Sequence, residues 1–76
     1  PSRPGAHAPL RVVIADDNAD LSSAMSHLID AEPDMCCVGR VDAASRVVDV
    51  TRETAADVLL LDLRLRDGTG MDVIET

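Results

Sequence analysis

Two short apolar runs in this chain each stop on acid. Arg11-Val12-Val13-Ile14-Ala15 leads directly into Asp16-Asp17, and Asp57-Val58-Leu59-Leu60-Leu61 leads into Asp62. Both runs have the length and composition of buried strands. If they lie side by side in one parallel sheet, Asp16, Asp17 and Asp62 meet at its carboxyl edge, where open α/β folds keep their ligands. Carboxylates packed that closely repel one another, and a cation among them offsets the repulsion. The pattern points to a divalent metal site with one acid free to do chemistry.

The segments between the runs read as helices and one more strand. Asn18 can cap a helix with Asp20 in its first turn, and Pro33 stops it, giving roughly Ala19 to Ala31. Leu21, Met25, Leu28 and Ile29 fall on one face of that helix. Met35 to Val38, or alternatively to Val41, forms a second strand whose end Gly39 allows to bend. Asp42 can cap a second helix reaching about Thr54, with Ala44, Val47, Val48 and Thr51 as its inner stripe. Val58 to Leu61 is the third strand. Asp67-Gly68-Thr69-Gly70 reads as a turn, and Met71 to Thr76 starts a third helix. This alternation of strand and helix implies a parallel sheet with right-handed crossovers.

The 76 residues make one domain at most. With no Phe, Tyr or Trp, the core is built from Val, Leu, Ile, Ala and Met, and Met25, Met35 and Met71 read as core filler. A net charge of −7 argues against nucleic-acid or anionic-membrane binding by this segment. No apolar run is long enough to span a membrane. Residues 1–9 lack the apolar stretch of a signal peptide and read as a flexible tail. Cys36 and Cys37 are adjacent, so on a strand they face opposite ways and do not bond to each other. They read as small apolar residues in a reducing compartment, which makes the expected location cytoplasmic; a redox sensor is the competing reading. His27 reads as a surface or boundary residue.

Val12 to Asn18 resembles the first strand and acidic pair of bacterial response-regulator receiver domains, and Ala56 to Leu65 resembles their third strand and phosphoacceptor. Ala31 to Gly39 looks like the NarL/FixJ branch, whose members usually carry a helix-turn-helix output domain. The resemblance implies a flavodoxin-like (CheY-like) doubly wound parallel sheet of strand order 2-1-3-4-5. Residues 10–76 would carry its N-terminal part, truncated after the third strand. It also implies that Asp62 accepts a phosphoryl group from a phosphohistidine on a sensor histidine kinase. Asp17 would ligate Mg²⁺ directly, Asp16 through water, and the backbone carbonyl of Arg64 would add another oxygen. There are departures. Arg66 stands where the family often has Pro, and Asp67-Gly68-Thr69 is unusual, although Gly70 falls on a family glycine. The fourth-strand Ser/Thr, fifth-strand Lys and switch aromatic have no counterpart here; all seven basic residues are Arg.

A sheet ending at the third strand exposes the edge Val58-Leu59-Leu60-Leu61, and such edges pair with something. Self-association through that edge, or cover by a missing C-terminal half, is therefore expected. The leading functional expectation is a receiver module that controls a missing DNA-binding transcriptional output and is not an enzyme in the turnover sense; in these residues alone phosphorylation is expected to be impaired, because no cation replaces the family's Lys beside the phosphoryl oxygens. The alternative is a dimerisation or interaction module that works without phosphorylation. A metal-dependent phosphohydrolase ranks last, because those enzymes place their acids as Asp-x-Asp after the first strand and here the acids are adjacent.

Overall fold

The computed structural model describes residues 8–62 and 64–74. The expected tail falls mostly on residues 1–7, and the end of the expected third helix on Glu75 and Thr76; both lie outside the described residues. The elements are β1 (Leu10–Ala15), α1 (Ala19–Asp30), β2 (Met35–Val41), α2 (Ala44–Glu53), β3 (Val58–Leu61), β4 (Arg64–Leu65), β5 (Gly68–Thr69) and α3 (Gly70–Ile74).

β1, β2 and β3 form a parallel sheet in the order β2-β1-β3, the flavodoxin-like doubly wound arrangement. β1 is central because it is apolar on both faces. Val12, Val13, Ile14 and Ala15 are each 2% exposed or less. Burying a side chain of this size contributes roughly 1.5–3 kcal/mol. The period of two splits them between two cores. Val12 and Ile14 pack with Ile29, Met25, Met35 and Cys37 on the α1 side. Ala15 packs with Val47, Leu65, Leu59 and Leu61 on the α2 side.

α1 begins as expected: the Asn18 side chain accepts the Leu21 N–H at 3.0 Å. Its inward face is not the expected one. Leu21 and Leu28 are 49% and 71% exposed, whereas Ser22, Ser26 and Ile29 are buried. The small serines face β2 and leave room for the helix to approach it, and both hydroxyls are satisfied. Ser26 Oγ donates to the Ser23 carbonyl at 2.8 Å, and Ser22 Oγ accepts from Arg40 Nε at 3.1 Å.

β2 runs the full length to Val41, with a register shift opposite Val12 and Val13 that leaves Val38 unpaired. Gly39 therefore lies inside the strand and not at its end. A Cβ there would meet Val50 Cγ1 of α2 at 3.0 Å, so the glycine lets helix and strand approach. α2 leaves through Ala55, held at φ 52°, with the Ala56 N–H on the Thr51 carbonyl at 3.1 Å. The chain then enters β3, where Asp57 N–H donates to the Arg11 carbonyl and the Asp57 carboxylate accepts the Arg11 N–H at 3.0 Å.

Three further expectations are corrected. Asp42 does not cap α2; the N-cap is Ala43, with no cap from its own side chain. Asp42 is engaged elsewhere, as an acceptor for Arg66. The expected turn at 67–70 is a small antiparallel hairpin, β4 against β5, turning at Arg66 and Asp67. Met71 is 53% exposed and is not core filler, while Met25 and Met35 do pack against the core. Cys36 and Cys37 are free and half-buried, and His27 is exposed, as expected.

Candidate metal centre

The sheet register builds the site. Ala15 pairs with Val41 on one side and Leu61 on the other, so the residues that follow leave the sheet at one level. The Asp16 N–H donates to the Val41 carbonyl at 3.0 Å, and the Asp62 N–H donates to the Ala15 carbonyl at 2.8 Å. These bonds fix both backbones at the carboxyl edge. Asp16, Asp17 and Asp62 each bring a carboxylate oxygen into one group whose atoms lie within 4.8 Å of one another. All three expected acids are thus brought together.

Their environments differ. Asp16 is partly buried, Asp62 half-buried and Asp17 exposed. One Asp16 oxygen accepts the Asn18 N–H at 2.9 Å, which holds that side chain in place while Asn18 caps α1. An open groove of about 260 Å³ lies beside Asp16 and Asp62, walled by Ile14, Met25 and Leu60. The donor set is all oxygen, which suits a hard divalent cation such as Mg²⁺ better than a soft one. Arg64 begins β4 just past Asp62, and its backbone is held by pairing with Thr69.

Sequence reasoning missed what anchors the loop after Asp62. The Asp67 carboxylate accepts the N–H of Ala44, and that of Ser45 at 3.4 Å. The uncapped start of α2 is thus capped from the hairpin. The Ser45 hydroxyl holds the Asp67 carboxyl below its ordinary value; burial opposes it, and the N–H groups of Ala44, Ser45 and Asp67 itself add to the lowering. The Arg66 N–H donates to the Asp42 carbonyl at 2.9 Å, and Arg66 Nε lies 3.5 Å from Asp42 Oδ1. The only local signal was that Arg66 and Asp67 depart from the residues usual at these places.

Known proteins resemble this chain in sequence and fold. The response regulator receiver domain family matches residues 12–76. A protein-glutamate methylesterase/protein-glutamine glutaminase of Albidiferax ferrireducens is 34% identical over 65 residues, covering 86% of this chain and 17% of the relative. The chain therefore spans less than a fifth of that relative's length. Among solved structures, the response regulator domain of Thermotoga maritima CheB superposes with a TM-score of 0.83 at 27% identity, over 88% of this chain and 50% of that one. A LuxR-family two-component response regulator from Aurantimonas shares the fold, with a TM-score of 0.79 at 24% identity over 87% of this chain and 47% of its own. The match over residues 12–76 establishes that this chain belongs to the response regulator receiver domain family.

Proposed function

We propose that this receiver takes a phosphoryl group on Asp62, with Asp16, Asp17, Asp62 and the Arg64 carbonyl holding Mg²⁺. The convergence of the three carboxylates within 4.8 Å carries the reading. The donor of the phosphoryl group is a phosphohistidine on a sensor histidine kinase. One Asp62 oxygen forms a bond to phosphorus as the bond from phosphorus to the imidazole nitrogen breaks, and the electron pair leaves with the imidazole. A bound divalent cation would offset the charge that builds where carboxylate and phosphate approach. Asp62 is half-buried and lines an open groove, from which its side chain is approached. The Asp62 N–H on the Ala15 carbonyl and the Asn18 N–H on Asp16 hold the acids in place.

The test is an intact mass spectrum with and without acetyl phosphate and Mg²⁺. One phosphoryl adduct is expected, absent in Asp62→Asn and absent without the cation. An adduct that persists in Asp62→Asn would sink the assignment.

Two outputs for the whole protein have support. The Ala31 to Gly39 segment favours a DNA-binding output of the NarL/FixJ kind, the reading made from sequence. The methylesterase relative favours an enzymatic output instead. Assays of DNA binding and of methylesterase activity on the whole protein decide between them.

A second proposal concerns β3. It lies at the edge of the sheet, and Val58 and Leu60 are each 36% exposed there. The edge pairs either with a second copy of the chain or with a C-terminal continuation of the receiver. Size-exclusion chromatography with light scattering checks the first: a stable monomer of these 76 residues excludes it. A dimer unaffected by Asp62→Asn would support an interaction role independent of phosphorylation.

A further inference from the structure

We propose that Arg66 and Asp67 form a positioning strap: they tie the loop after Asp62 to the start of α2 and so hold the Arg64 carbonyl ready to ligate a divalent cation. The inference rests on the metal reading given under Proposed function.

The strap is visible as successive contacts. Leu65 is 7% exposed and packs with Ala15 and Val47 on the α2 face of the sheet. Arg66 follows with its N–H on the Asp42 carbonyl and its guanidinium near the Asp42 carboxylate. Asp67 then caps Ala44 and Ser45. Arg64 is therefore followed by three residues, each fixed to α2 or to the segment leading into it.

The exchange is mutual. The first N–H groups of a helix have no partner within it, and that end carries partial positive charge. Ala43 offers no side-chain oxygen, so α2 depends on Asp67 for its cap. In return the loop is ordered before any cation arrives. An oxygen ligand on a pre-ordered loop binds more tightly, because binding no longer has to fix the loop. Proline, often present at this place in the family, has no N–H to give Asp42. Both residues of the strap are thus among the departures from the family pattern.

The test is Mn²⁺ titration of the full chain, following the paramagnetic resonance of the free ion. Wild type binds and Asp17→Asn does not. Asp67→Ala weakens binding about 3- to 10-fold, while Asp67→Asn, whose amide oxygen still accepts the Ala44 N–H, stays within about twofold. Ala43→Ser in the Asp67→Ala background gives α2 a local cap and keeps the helix folded, without restoring the strap. Weak binding in that double variant supports the proposal. Wild-type affinity in Asp67→Ala, or its recovery with Ala43→Ser, overturns the strap and leaves the metal reading standing. Equal, absent binding in wild type and Asp17→Asn overturns both.

Discussion

The Asp62 N–H donates to the Ala15 carbonyl at 2.8 Å, which places Asp62 beside the residue that precedes Asp16-Asp17. The same register that gives the sheet its order therefore crowds three carboxylates. Crowding makes a sign-reversing prediction. Without divalent cations, Asp17→Asn stabilises the chain by about 0.2–0.5 kcal/mol, because it removes like-charge repulsion. With Mg²⁺ at about a hundred times its Kd, wild type gains roughly 2.7 kcal/mol and overtakes the variant. Urea midpoints of both proteins, in EDTA and in Mg²⁺, check this; a variant that gains as much from Mg²⁺ as wild type refutes it.

Asn18 serves two neighbours at once. Its side chain caps α1 through Leu21, and its N–H holds an Asp16 oxygen. Asn18→Ala removes only the first, so it is expected to cost about 1 kcal/mol of stability. Mg²⁺ affinity should change little, since the backbone N–H on Asp16 remains. Thermal unfolding together with a Mg²⁺ titration separates the two; a large loss of affinity at unchanged stability would contradict the assignment.

The parts of the fold legible from sequence were those written in contiguous residues. Val12 to Ala15 of β1 and Val58 to Leu61 of β3 are unbroken apolar runs, and each ends on the acids that form the centre. The inward face of α1 was misread because periodicity weighs only apolar residues. Leu21 and Leu28 are the more apolar, yet the close approach to β2 favours small side chains whose hydroxyls find partners. The cap of α2 was misread for a different reason. Asp42 holds the locally plausible position, but Arg66 engages it, and the true cap comes from Asp67, 23 residues from Ala44. No local pattern encodes a contact of that span.

Gly39 tests the packing of α2 on the sheet. A Cβ at that place lies 3.0 Å from Val50 Cγ1, and a valine adds two more methyl groups. Gly39→Val is expected to destabilise the chain by roughly 1–3 kcal/mol through overpacking. Val50→Ala in the same chain should recover part of that loss by opening the space. Denaturation midpoints of the single and double variants measure the coupling; purely additive losses would show that the close contact is not the cause.

Asp67 gives the fold a pH dependence of known sign. The Ser45 hydroxyl and the N–H groups of Ala44 and Ser45 hold its carboxyl below the ordinary value of 3.8. As pH falls, the unfolded chain takes up this proton first, so the unfolded state gains stability relative to the folded one. The contribution is fully present above the ordinary carboxylate value and is lost as pH falls through the lower, folded one. Asp67→Asn keeps an acceptor for Ala44 but cannot titrate. Wild type should therefore be more stable than Asp67→Asn at neutral pH, with the gap closing in acid. Other carboxylates titrate in both proteins, so the informative quantity is the difference between their urea midpoints at each pH. A gap that stays constant from neutral to acid conditions would mean that the charge on Asp67 adds nothing to the cap.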